Sequence, residues 1–238
     1  MLAHDCGKFL SKKRQSIGRA GSFQRPQPRR NSEILDQATL KVIKNMSLEP
    51  TSITESNEIP LKLDRPLVLV GLMGAGKSCV GRRLAESLDL PFVDSDGEVE
   101  TAAGCEVRDI FEVYGEPAFR DCERRVIQRL LDGGPSIIAT GGGAFIDPQT
   151  REAVKAHGVS LWLRADPEVL YQRTKRSRTR PLLNNEDPLA TLTNLAEQRY
   201  PIYAEADITI DTGNEGLEMT LQKAMQALKQ HAEKENQL

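Results

Sequence analysis

The segment LVLVGLMGAGKS, Leu67 to Ser78, constrains this chain of 238 residues more than any other. An apolar run leads into Gly71, and Gly71, Gly76, Lys77 and Ser78 hold the fixed positions of G-x-x-x-x-G-K-[ST]. Val80, Leu84 and Leu88 follow at helical spacing, so strand, glycine loop and amphipathic helix succeed one another directly. The order has a physical reason. Glycines let consecutive backbone N–H groups curl around an anion, and the helix N-terminus adds positive partial charge. Lys77 is placed to reach terminal phosphate oxygens, and the Ser78 hydroxyl to coordinate magnesium. The plain alternative, a tight turn whose lysine faces solvent, does not explain both glycines, the Lys-Ser pair and the two flanks together.

Beyond this loop, short apolar runs at Leu67–Val70, Pro91–Val93, Ser136–Ala139, Val159–Leu163 and Asp207–Ile210 alternate with helical periodicity. They predict an α/β domain over 61–238 built on about five parallel strands buried on both faces. A formal net charge of -2 and a pI near 6.0 provide no global positive field for nucleic acid or an anionic bilayer. With a mean hydropathy of -0.44, no apolar run is long enough to suggest a membrane span. Cys6, Cys79, Cys105 and Cys122 form no C-x-x-C pair, and with His4, His157 and His231 they give no zinc spacing, so they read as reduced thiols.

Residues 1–60 are polar and lack a sustained apolar period, and are expected to form a disordered basic tail. Lys8, Lys12, Lys13, Arg14, Arg19, Arg25, Arg29 and Arg30 stand against the single acid Asp5 in its first half. Such a composition also suits an organelle transit peptide, but the expectation is a flexible tail, or a start codon assigned too early, since Met46 lies between tail and domain, on a cytoplasmic protein. The apolar run of a secretory signal is missing from it.

Where the phosphate goes must be read from four further elements. Asp94-Ser95-Asp96 follows the second apolar run, where strand ends face a ligand crevice. One carboxylate there can hold magnesium through water while the other accepts a proton from a hydroxyl, although D-x-D also caps helices. Gly141-Gly142-Gly143 after the third run exposes backbone N–H groups to a ligand. Arg120 and Glu123 lie three apart on one helix face behind Pro117, as either a surface ion pair or an arginine fixed for a carboxylate. Arg173 to Leu183 is the densest basic run of the domain and reads as a mobile lid, rather than a solvated run or a nucleic-acid patch.

This set, completed by an arginine in the Q-R-Y-P-x-Y segment, resembles shikimate kinase from about Leu67 to Asp211. The resemblance implies a three-layer P-loop kinase sandwich with a helical substrate-binding region and a lid. It also implies ATP and Mg2+ as cofactors, and shikimate as a small-molecule substrate phosphorylated on its 3-hydroxyl on the way to chorismate. Carried over residue by residue, Gly74, Ala75, Gly76, Lys77, Ser78 and Cys79 cradle the phosphates, and Asp94 positions magnesium beside Ser78. Asp96 binds the hydroxyls and serves as base. Arg120 and Arg199 clamp the carboxylate, and Gly142 offers its N–H to a hydroxyl. Lys77 and Arg180 stabilise the transferring group, and Arg173 lies against the adenine. The segment after Asp211 lacks a basic residue, leaving Thr212 and Asn214 to contribute backbone contacts only. The family also implies a monomer. A gluconate or nucleoside monophosphate kinase would share the cradle and lid but not this full set. A silent relative would have lost Lys77, Asp96 or a lid arginine. Removing residues 1–60 is expected to leave kcat/KM and melting temperature unchanged, a comparison of two purified chains that a collapse of folding would contradict.

Overall fold

The computed structural model describes residues 61–175, 183, 185–235 and 237. The tail expected over 1–60 lies outside them, as do residues 176–182, the centre of the expected lid with Arg180. Five strands, β1 (Leu67–Val70), β2 (Phe92–Asp94), β3 (Ile137–Ala139), β4 (Val159–Arg164) and β5 (Ile208–Asp211), form one parallel sheet. Their spatial order is β2-β3-β1-β4-β5, so the chain leaves β1 toward one edge and later returns to its other side. The crevice between β1 and β3 is therefore the switch point at which such sheets bind ligands.

Each strand matches its expected span to within one residue, because apolar runs of this kind are stable only when both faces are covered. All of β1 is buried, with Val68 opposite Ile138 on one side and Ser160 on the other. β2 differs in one informative way. It starts and ends a residue later than expected, so Asp94 belongs to the strand, in register with Ala139, rather than to a loop.

Seven helices, among the described residues, complete the layers: α1 (Lys77–Leu88), α2 (Ser95–Ala103), α3 (Val107–Leu131), α4 (Pro148–His157), α5 (Pro167–Thr174), α6 (Pro188–Tyr203) and α7 (Leu217–Glu235). α2 begins at Ser95, earlier than its apolar pattern suggests, because the Asp94 carboxylate caps it by accepting the Asp96 N–H at 3.2 Å. α3 is broken at Gly115, whose φ of 78° and ψ of 171° are not helical, and Pro117 opens the second segment. The main core surrounds the sheet. A smaller one of Val99, Ile110, Phe119 and Val126 joins α2 to α3 and forms the separate helical region the resemblance implies.

α1 docks on the sheet through Gly81, where a Cβ would stand 2.7 Å from Phe92 Cε2 and 2.9 Å from the fully buried Leu69 Cδ1. Helix preference alone favours alanine over glycine by about 1 kcal/mol, while overpacking a filled site costs about 1–3 kcal/mol. Gly81→Ala is therefore expected to destabilise the fold by about 1 kcal/mol in urea unfolding. A stabilised variant would show that α1 can lift away from Phe92.

Candidate active site

The phosphate loop springs from the carboxyl end of β1, and Gly71, Gly74 and Gly76 all adopt positive φ. At Gly74 the demand is double: φ is 84°, and a Cβ would lie 2.7 Å from Thr174 Cγ2 on α5. α1 starts directly behind the loop with no acidic residue in its first turn, so its N-terminal partial charge stays available to an anion. Lys77 Nζ donates to the carbonyls of Gly71, at 2.7 Å, and Leu72, at 3.0 Å, which holds the ammonium over the loop. Ala75 is buried, and Cys79 is exposed on the first turn. Together these features fit a polyphosphate.

Ser78 Oγ donates to Asp94 Oδ2 at 2.9 Å, bringing together the two residues read as magnesium ligands. Among the described residues no cluster of three or more His, Cys, Asp or Glu is set to hold a metal. A hydroxyl and one carboxylate instead suit Mg2+, which takes hard oxygens and keeps waters and phosphate in its shell.

The acceptor side is built on the glycine loop after β3, anchored by Thr140, whose N–H and hydroxyl both donate to the Leu69 carbonyl, at 3.2 and 2.8 Å. Its glycines are needed for a reason the sequence reading did not supply. A Cβ on Gly141 would stand 2.6 Å from Asp96 Oδ1 and 3.2 Å from Glu123 Oε1, and one on Gly143 would stand 2.6 Å from Arg120 Nη1. The outer two glycines thus admit protein side chains, and Gly142 alone lies near the phosphate loop, where a Cβ would stand 3.7 Å from Met73 N. The Gly142 carbonyl accepts from Arg199 Nη1 at 3.1 Å and from the Tyr203 hydroxyl.

Charge in this pocket is tightly arranged. Arg120 Nη1 donates to Glu123 Oε2 at 2.7 Å, and its Nε and Nη2 donate to Glu116 Oε1 at 3.3 and 3.1 Å. Glu123 is 2% exposed, so the pair is far from the surface ion pair that was its alternative, and its Oε1 has no hydrogen-bond partner. Burial works against the Arg120 charge, but the bonds to Glu123 and Glu116 outweigh it and raise the guanidinium pKa. Burial, followed by repulsion from Asp94, pushes the Asp96 carboxyl above the usual range. Burial does the same to Glu123, with Arg120 opposing. Arg120 and Arg199 line one hollow with Glu116, Gly143, Ile146 and Asp147. A second hollow, along α1 and lined by Arg82, Glu86 and Phe92 among others, shares no residue with the site.

Arg173, at the end of α5, donates from Nη1 to the carbonyls of Gly74 and Ala75, both at 3.4 Å, and to Thr212 Oγ1 at 3.3 Å. It also bonds the Gly213 carbonyl. Thr212 is buried, and its side chain accepts from Arg173. The structure brings together Lys77, Ser78, Asp94, Asp96, Arg120, Gly142 and Arg199 around the β1–β3 crevice, with Arg173 at its edge. Glu116 and Tyr203 were missed as participants. The i,i+4 spacing of Arg199 and Tyr203 is the signal that could have found the latter.

The shikimate kinase family model matches residues 73–229. The shikimate kinase of Paramagnetospirillum magneticum is 57% identical over 167 residues, 70% of this chain and 86% of its own. That of Caulobacter vibrioides is 51% identical over 178 residues, 75% and 88% of the two chains. Among solved structures, shikimate kinase from Acinetobacter baumannii in complex with shikimate superposes with a TM-score of 0.66 at 40% identity, covering 70% of this chain and 93% of that one. Shikimate kinase from Aquifex aeolicus gives 0.62 at 34% identity, with 70% and 98% covered.

Asp96 holds its proton more tightly in the folded state than in the unfolded one. Its contribution to stability is therefore fully present below the ordinary aspartate value of 3.8 and is lost as pH rises through the raised value. Asp96→Asn is expected to melt higher than wild type near pH 7, with the difference fading on acidification below pH 3.8. Parallel thermal melts across that range measure it, and a variant that melts lower near pH 7 would mean the ionised carboxylate stabilises the fold.

Proposed function

The chain belongs to the shikimate kinase family, and from that premise we propose how its residues carry the transfer of the ATP γ-phosphoryl group to the 3-hydroxyl of shikimate, giving shikimate 3-phosphate and ADP. The observation that carries the assignment is the meeting of Asp96, Arg120 and Arg199 at one glycine loop beside the phosphate cradle. Shikimate is a small polyol with one carboxylate, and these are the groups that hold hydroxyls and a carboxylate.

Arg120 and Arg199 grip the substrate carboxylate. Glu123 holds the Arg120 fork from beneath, so little side-chain entropy is lost when the substrate arrives. Asp96 binds the hydroxyls and takes the proton of the attacking one as the new O–P bond forms and the bond to ADP breaks. Its raised pKa moves it toward the operating pH, which strengthens it as a base. The Gly142 N–H supports a neighbouring hydroxyl. The backbone of Gly74 to Cys79 cradles the phosphates, and Lys77 with Arg180 balances charge on the transferring group. Arg173, held by the Thr212 hydroxyl and the Gly213 carbonyl, borders the adenine. Magnesium supplies charge neutralisation on the phosphates, and Ser78 and Asp94 are the residues that would hold it.

The family resemblance favours action as a monomer, with residues 1–60 a dispensable tail on a catalytic domain over 61–238. The basic run from Arg173 to Leu183 is read as its lid, and the cytoplasm as its compartment. No described helix is long and apolar enough to cross a membrane. Small-molecule recognition, not nucleic acid, is the work of its arginines.

A coupled ADP-release assay with magnesium-ATP tests the reading, comparing shikimate, gluconate and a nucleoside monophosphate at matched concentrations. Turnover with shikimate alone is expected. Turnover with another acceptor alone would keep the cradle and remove the roles given to Asp96, Arg120 and Arg199. Asp96→Asn is expected to lower kcat by about 10²–10⁴ with ATP affinity retained. Arg120→Lys is expected to raise the KM for shikimate by about tenfold or more, as a charged hydrogen bond of about 1.5–3 kcal/mol is lost.

A further inference from the structure

Arg199 and Tyr203 occupy one face of α6, four residues apart, and both donate to a single acceptor, the Gly142 carbonyl. That carbonyl belongs to the peptide joining Gly142 to Gly143, where no side chain restrains the backbone. On either side of it, Gly141 packs on Asp96 and Gly143 on Arg120. A rotation of this one peptide would therefore disturb the groups read above as hydroxyl and carboxylate ligands together.

The Tyr203 ring is 1% exposed, with ring centroids 5.8 Å from Trp162, 6.4 Å from Tyr200 and 6.5 Å from Phe145. Phenylalanine would fill such a place equally well. What it would lack is the hydroxyl, and that group is spent on the loop carbonyl rather than on the core. Burial pushes the phenol up to about 12, with the Arg199 charge opposing, so it stays a donor throughout the working pH range.

We propose that Tyr203 is a positioning residue for the substrate carboxylate site: its hydroxyl pins the Gly142 carbonyl, and the pinned carbonyl in turn fixes the Arg199 guanidinium. The inference rests on the reading that Arg199 grips the shikimate carboxylate. Tyr200, its neighbour in the aromatic cluster, supplies the control, because its hydroxyl bonds the Ala165 carbonyl, outside the site.

The experiment is steady-state kinetics of the full chain with Tyr203→Phe and Tyr200→Phe, using shikimate and its carboxamide, together with thermal melts. Tyr203→Phe is expected to raise the KM for shikimate roughly five- to tenfold, the effect of one hydrogen bond, with kcat and the KM for ATP within about twofold of wild type. The preference for shikimate over the carboxamide should shrink by the same factor, and Tyr200→Phe should move neither. A Tyr203→Phe enzyme that melts lower but keeps its KM and its preference overturns the inference, as do equal KM shifts in both variants. Wild-type enzyme inert on shikimate would overturn the functional reading and this inference with it. Wild-type turnover beside an unmoved variant overturns the inference alone.

Discussion

Two charged side chains, Asp96 and Arg120, rest against a backbone that has no Cβ to keep them away, and the acceptor half of the crevice depends on that contact. The loop after β3 could not sit where it does with any larger residue at Gly141 or Gly143, since the added carbon would overlap a carboxylate oxygen or a guanidinium nitrogen. The loop is in turn tied to β1 by Thr140, whose two bonds to the Leu69 carbonyl keep it level with the phosphate cradle. One turn thus sets the distance between the donor and acceptor sides. The β2-β3-β1 strand order is what places its two anchors next to each other.

The same contact explains why so many like charges sit together. Asp94, Asp96 and Glu123 approach one another in a partly buried space, and each buried carboxylate loses water that only a good partner can replace. Asp94 gains Ser78 and the start of α2, and Glu123 gains Arg120, while Asp96 has burial and the Asp94 charge against it. The group left in the least comfortable electrostatic position is the one proposed to accept a proton. Burial and a neighbouring like charge are the usual means by which a carboxyl is raised above its ordinary range.

Most of the fold and much of the site were legible in the residues, for unequal reasons. The phosphate loop and the five strands could be read because glycine spacing and buried apolar runs are local signals, each carrying its own physical cause. Asp94 and Asp96 could be read from their place at a strand end and Arg120 from its spacing to Glu123, but only a resemblance joined them with Arg199, because nothing in their separations along the chain says that they meet. A second demand on Gly141 and Gly143, room for the side chains of Asp96 and Arg120, could not be read, since those side chains come from α2 and α3, far away in sequence. The bond from Arg173 to the Thr212 hydroxyl could not be read either, because the two residues lie 39 apart along the chain.

α6 extends this argument to the far wall of the crevice. It is a poorly marked helix by sequence, with Pro188 at its start and Pro201 inside its last turns. Pro201 lacks the N–H that would bind the preceding turn, yet the helix continues to Tyr203 because its inner face is fastened by other means. Tyr200 reaches the Ala165 carbonyl at the end of β4, while Arg199 and Tyr203 reach Gly142 at the end of β3. Fastening at two places replaces what the proline removes, and the bonds at Gly142 alone tie the position of Arg199 to the glycine loop after β3. A charged side chain proposed to meet a substrate carboxylate needs such a frame, because its own flexible stem cannot supply one.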